Sequence, residues 1–143
     1  MKSLLLAGTM VLAFVALAKE PASTKVTGTV LTPKGVKDYS GLTLEVRLYE
    51  YHPFVADKPA DLVARLNLEE YDHKMGKETK TQFKVGEAGT IMPGMSYYIT
   101  CFVIDAKGKR YLMGEKDGKR GLCKVLTGGN PNKVNLILRD LRK

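Results

Sequence analysis

The side chains best suited to catalysis or metal binding are the two histidines, His52 and His73. His52 lies between Glu50 and Asp57, and His73 follows three acidic residues within 69–72. Zinc sites require three or four convergent ligands with short, recognisable spacing, and neither histidine has that pattern. Histidines mixed with carboxylates are also typical of solvated loops. We therefore predict no metal site.

Nucleophilic catalysis has little support in this sequence. Beyond the N-terminal apolar segment the serines are Ser23, Ser40 and Ser96, and none lies in a nucleophile-elbow context. The pair Gly128-Gly129 precedes Asn-Pro rather than a helix start, which indicates a turn and not a phosphate loop. The sequence predicts no catalytic residue and no cofactor, so we expect a protein that is not an enzyme.

Two cysteines, Cys101 and Cys123, leave the redox state open. An even number of cysteines in an exported chain favours a disulfide. If residues 110–114 lie between the two cysteine-bearing strands, however, those strands are about 9.6 Å apart. A disulfide needs Cα atoms within about 7 Å. A bridge then requires the last hairpin to fold over, and the alternative is two small buried hydrophobic residues.

Surface binding is better supported than catalysis. Six apolar residues in or near loops could line a groove or a strand edge that takes a protein segment, although they could equally be core residues. They are Phe54, Val55, Ile91, Met92, Tyr97 and Tyr98. The net charge is +8, and Lys116, Lys119 and Arg120 in one turn form a second candidate, a basic patch for anionic surfaces.

The N-terminus has the three parts of a secretory signal. Lys2 supplies a positive charge, residues 4–15 are apolar, and Ala16-Leu17-Ala18 is a small-residue cleavage site. The apolar part is shorter than the roughly 20 residues that span a bilayer. We expect a cleaved signal peptide over 1–18, a polar tether over 19–25 and one β-sandwich domain over 26–143.

Alternation of apolar and polar residues predicts the fold. The clearest case is Leu42–Tyr51, where Leu42, Leu44, Val46 and Leu48 share one face of the predicted strand. Tyr97–Ile104 is apolar at both odd and even positions, which predicts a central strand covered on both faces. Residues 62–68 could be strand or helix, and strand is favoured. The seven or eight short strands predict an all-β, antiparallel β-sandwich.

In the order of these strands and turns, the chain resembles the YbaY/YscW-type family of small bacterial envelope proteins, which includes pilotins of type III secretion. The matching segments are Val26–Val30, Leu44–Leu48, Ala56–Ala60 leading into 62–64, Phe83, Tyr98–Asp105, Val125–Gly129 and Val134–Leu138. The resemblance implies an immunoglobulin-like sandwich and a role in localising or assembling an outer-membrane partner. Many relatives are lipoproteins, whereas this signal ends in Ala-Leu-Ala-Lys without an acceptor cysteine.

These observations predict a periplasmic or secreted accessory protein, not a lipoprotein, with a chaperone-like or pilotin-like function. We expect a protein partner in the cell envelope, no membrane span and no nucleic acid. The alternative is a structural or adhesion module that binds anionic envelope polymers through its basic turns.

Overall fold

The computed structural model describes residues 22–142, and within that range the chain contains strands and no helix. The all-β prediction is therefore confirmed. The strands are β1 (Val26–Thr32), β2 (Tyr39–Tyr51), β3 (Asp61–His73), β4 (Thr79–Val85), β5 (Ser96–Ile104), β6 (Arg110–Lys116), β7 (Cys123–Val125) and β8 (Lys133–Asp140). The predicted signal peptide, 1–18, and residues 19–21 of the predicted tether lie outside the described residues.

The strands form one mixed sheet that curls nearly into a barrel. Its hydrogen-bonded order is β3-β2-β5-β6-β8-β1-β4, and β7 also pairs with β5. β1 and β8 run parallel, with Val30 opposite Leu136, so the purely antiparallel arrangement is wrong for this pair. Most of the chain lies between these two strands, and no hairpin constrains their relative direction.

The core begins with the inward side chains of β2 and β5. Val46 lies opposite Cys101 and Leu48 lies opposite Ile99, and all four side chains are buried. Such cross-strand pairs are the unit of sheet stabilisation, and they follow the alternation that predicted β2. The core therefore sits between β2 and β5 on one side and β1, β4 and β8 on the other.

β5 is covered differently from the prediction. Its odd positions face the core, with Tyr97 and Val103 almost fully buried, but Tyr98 on the other face is only half-buried. The Arg110 guanidinium lies 3.9 Å from the centroid of the Phe102 ring and covers it. The outer face of β5 is thus shielded by side chains of its own sheet, because the described residues provide no second layer there.

The two cysteines are neighbours and unbridged. β6 pairs with β5 only over residues 102–104, whereas β7 pairs with it over 97–99, so β6 does not separate the two cysteine-bearing strands. Cys123 lies opposite Ile99, two residues from Cys101 on the same inner face. Both are buried free thiols, and burial raises the pKa of Cys101 to about 12.

β3 is a strand, as favoured, but it is longer than predicted. The acidic residues Glu69, Glu70 and Asp72, whose pattern is typical of a solvated loop, lie within it. The register shifts there, since Leu44 pairs with Leu68 and Leu42 with Tyr71, and Glu70 has φ 54°. This bulge keeps Tyr71 buried despite the broken alternation.

Candidate functional site

β3 and β4 are the two ends of the sheet, and they leave a seam between them. A short turn, residues 74–78, connects them, and they contact each other without forming a hydrogen-bonded ladder. Each strand has one paired edge and one free edge. An edge with free backbone N–H and C=O groups is a template for another strand.

The turn end of the seam is closed by side chains. The Thr81 hydroxyl donates to the Tyr71 hydroxyl at 3.2 Å, and His73 Nδ1 lies 2.8 Å from Thr79 Oγ1. His73 Nε2 lies 3.1 Å from the carbonyl oxygen of Val36. Because a carbonyl can only accept, Nε2 carries a proton and donates to Val36, and in the neutral ring Nδ1 accepts from Thr79. His73 is therefore a buried structural residue that joins β3 to β4.

The middle of the seam is apolar on the β3 side. Ala64, Leu66 and Leu68 point inward and pack against the core, yet each remains partly exposed because β3 is an edge strand. The opposite edge is better protected, since Lys80 and Lys84 extend from β4 toward solvent. The regular part of β3, Ala64–Leu68, thus combines a free backbone edge with accessible apolar side chains.

Two loops flank this seam at its other end, which we call the mouth. Residues 52–60 and 86–95 leave the sheet together, because Tyr51 at the end of β2 pairs with Ser96 at the start of β5. Among the described residues, four large hydrophobic side chains are exposed in these loops or at the start of β3. They are Phe54 (90% exposed), Val55, Leu62 and Met92.

Tyr97 supports the mouth from inside and is 1% exposed, which agrees with the alternative that it is a core residue and not a surface binding residue. Its hydroxyl donates to Glu50 Oε2 at 2.6 Å and accepts from the Met92 backbone N–H at 2.9 Å. Burial, together with the hydrogen bond to Glu50, raises the pKa of Tyr97. Tyr97 therefore fixes residues 86–95 to the end of β2.

The other predicted binding residues divide between three places. Phe54, Val55 and Met92 are exposed at the mouth, and Ile91 is half-buried against the core. Tyr98 lies on the outer face of the sheet and stacks on Tyr49. The sequence did not single out Leu62, whose alternating neighbours gave no sign that its strand is an edge.

Residues 22–25 of the predicted tether lie against the mouth. Thr24 is buried, its hydroxyl donates to the Gly86 carbonyl at 2.6 Å, and its backbone N–H donates to the Gly89 carbonyl. Ser23 forms an antiparallel bridge with Thr90. These contacts dock this part of the chain onto the loop 86–95.

The predicted basic patch forms a single surface. Lys116, Lys119 and Arg120 line a shallow depression of about 310 Å³, together with the acidic Asp117. The Lys119 backbone N–H donates to the Lys116 carbonyl at 2.9 Å, which tightens the turn. The three cations therefore face a common space.

The remaining candidate chemistry is sparse. His52 Nδ1 accepts a long hydrogen bond from the Phe54 backbone N–H, and the two rings are 6.4 Å apart. Over residues 22–142, no three His, Cys, Asp or Glu side chains are placed to hold a metal ion. The same residues include no helix with the length and apolar character needed to cross a bilayer.

Fold and site together define a small all-β domain with an open seam between its two edge strands, β3 and β4. Its structure is similar to that of an alternative pilotin from the type II secretion system of Vibrio cholerae, with a TM-score of 0.55. The match covers 83% of this chain and 97% of that one at 16% sequence identity, so it bears on the fold alone. No family model and no curated protein matches the chain.

Proposed function

We propose that this chain is an exported, non-enzymatic accessory protein of the cell envelope that holds a segment of a partner protein. The segment lies along the free edge of β3 and reaches the mouth. The observation that carries the proposal is the unpaired Ala64–Leu68 edge with its partly exposed apolar side chains. Strand addition uses such an edge for affinity and the alternate side chains for specificity.

Two further observations support this function. Phe54, Leu62 and Met92 are exposed large hydrophobic residues, and surface clusters of that kind mark interaction sites. The fold is similar to that of a protein described as a pilotin. A pilotin-like or chaperone-like role is proposed on this basis. An immunoglobulin-like relationship and membership of the YbaY/YscW-type family are proposed only on the order of strands and turns in the sequence. Localisation in the periplasm or outside the cell, without a lipid anchor, is part of the same proposal.

Site-specific photo-crosslinking in the source cells tests the proposal. A benzophenone amino acid is placed at Leu62 or Met92, at the mouth, in the full chain. Met75 is the matched control, because it is also an exposed hydrophobic residue but lies in the turn at the opposite end of the seam. We expect the same discrete protein adduct from both mouth positions and none from Met75.

The outcome that contradicts the proposal is equally specific. Absence of any protein adduct at the mouth, or identical adducts at Leu62 and Met75, would show that the seam has no defined partner. Robust turnover in a broad substrate screen would contradict the non-enzymatic role.

A second function, adhesion to anionic envelope polymers, is favoured by one observation. Lys116, Lys119 and Arg120 share one depression instead of being dispersed. This function predicts that binding to polygalacturonate weakens with added salt and is lost when the three residues are replaced by glutamate. Binding that neither salt nor these replacements change would exclude it.

A further inference from the structure

The outer face of β2 and β5 has an aromatic cluster that the seam does not use. Tyr49 lies opposite Tyr98, and their rings are stacked with centroids 5.1 Å apart. Tyr51 packs on Tyr98 at a tilt, with centroids 5.6 Å apart. All three side chains are half-buried, on the face opposite the core, and the described residues place no second layer over them.

Arg47 and Arg65 border this cluster, and the carboxylate that pairs with them, Glu45, is buried. Glu45 is 7% exposed, with Arg47 Nε 2.7 Å and Arg65 Nε 4.0 Å from its oxygens. Arg47 Nε forms this ion pair without hydrogen-bond geometry. Arg47 Nη2 donates a hydrogen bond to Glu45 at 3.1 Å, and Nη1 donates one to the Tyr49 hydroxyl at 3.2 Å. Two guanidinium groups thus share one carboxylate, which leaves a positive charge at the surface.

The same arrangement recurs toward β8. Glu115 is 5% exposed and accepts from Arg139 Nε at 2.9 Å, while the Arg139 side chain is 40% exposed. On the other side of the cluster, the exposed Lys124 lies opposite Tyr98. At these positions the carboxylates lie under the cations, and the surface presents positive charge beside aromatic rings.

The ring geometry bears on the kind of anion that this face suits. Tyr98 is packed against Tyr49 and Tyr51, and the Arg110 guanidinium covers the face of Phe102. These contacts reduce the ring surface that is available for stacking of a nucleobase. The tyrosine hydroxyl groups and the guanidinium groups can bind the carboxylates of an acidic segment.

We infer that this outer face binds an acidic protein segment, with its carboxylates on Arg65 and Lys124 and its apolar side chains on the Tyr49–Tyr98 pair. Charge complementarity favours this occupant, because Arg65, Lys124 and Arg139 present positive charge while their neighbouring carboxylates Glu45 and Glu115 are buried. The surface adjoins the mouth and the β3 edge, because Leu62 lies opposite Tyr49 and Arg65 lies in β3. It is nevertheless the outer face of the sheet and not the seam, so the inference goes beyond the proposed function.

The test uses a fluorescent random copolymer of glutamate and tyrosine as the probe, with affinity measured by anisotropy at physiological salt. The variant is Arg65→Gln with Lys124→Gln, since both side chains are exposed and Glu45 keeps Arg47 as its partner. The matched control is Lys80→Gln with Lys84→Gln, which removes the same charge from the outer positions of β4. We expect about tenfold weaker binding for the variant and less than about twofold for the control.

Three results would overturn the inference. The first is an equal loss of affinity in variant and control, which would reduce the binding to net charge. The second is equal or tighter binding of polygalacturonate or single-stranded DNA at the same salt, which would assign the face to another polymer. The third is loss of copolymer binding on replacement of Lys116, Lys119 and Arg120. Because Leu62 lies opposite Tyr49, crosslinking at Met92 is the readout that distinguishes failure of the proposed function from failure of this inference.

Discussion

Replacing Tyr97 with phenylalanine removes one hydroxyl group that joins two parts of the mouth. The hydroxyl donates to the Glu50 carboxylate at 2.6 Å and accepts from the Met92 N–H at 2.9 Å, inside a side chain that is 1% exposed. Hydrogen bonds to charged groups contribute about 1.5–3 kcal/mol. Glu50 is only half-buried, so we expect a loss of about 1.5 kcal/mol in the free energy of unfolding.

Urea denaturation with matched controls measures this loss. A decrease of about 1.5 kcal/mol lowers the urea midpoint by roughly 1 M without changing the slope. Tyr98→Phe is the control, because its hydroxyl has no hydrogen-bond partner among the described residues and should cost less than about 0.5 kcal/mol. Amide exchange at Met92 should accelerate only in the Tyr97 variant. Equal, small losses in both variants would refute the anchoring role of Tyr97.

Three further predictions concern the core and the C-terminal end of the sheet. Gly28→Ala should destabilise the protein by about 3 kcal/mol or prevent folding, because the added Cβ would overlap a β8 carbonyl; an unchanged urea midpoint would contradict this. In the absence of reductant at pH 8, Cys101 and Cys123 should react with a thiol reagent only after the protein is denatured, because both thiols are buried. If the denatured protein has no reactive thiols, the two cysteines form a disulfide. Hydrogen bonds from Arg142 lower the pKa of Asp140 in the folded protein. The contribution of the Asp140 carboxylate to the free energy of unfolding is therefore complete above its pKa in the unfolded chain, about 3.9, and is lost as the pH falls through its lower pKa in the folded protein. Asp140→Asn should make the urea midpoint less dependent on pH in that acidic range. A pH dependence identical to that of the unmodified protein would argue against a stabilising Asp140–Arg142 pair.

Local alternation predicts the strands of this chain well where a single face is buried. In β1 and β4 burial alternates along the strand, and the strands end near Pro33 and Gly86 respectively. The extension of β3 was hidden by its bulge, since Glu69 and Glu70 break the alternation before Tyr71 returns to the core. A periodic pattern cannot reveal a strand whose phase changes in the middle.

Pairing between distant strands is beyond the reach of local patterns. Nothing in the sequence of β1 or β8 indicates that the two strands run parallel. The same limitation affected the candidate site, because the exposure of Leu62 depends on β3 having no partner on its second edge. The hydrophobicity of Tyr97 and of Phe54 is similar in the sequence, but only the tertiary structure distinguishes an internal anchor from an exposed loop residue.

Residue-resolved amide exchange of the isolated protein tests the central claim, that the edge of β3 is free, most directly. β2 pairs on both sides over Leu44–Leu48, so every backbone amide there should be protected. In β3 over Ala64–Leu68, alternate amides face the open seam, and these should exchange far faster than their neighbours. Uniform protection along β3, equal to that of β2, would contradict the account, because it would mean that the edge is already covered.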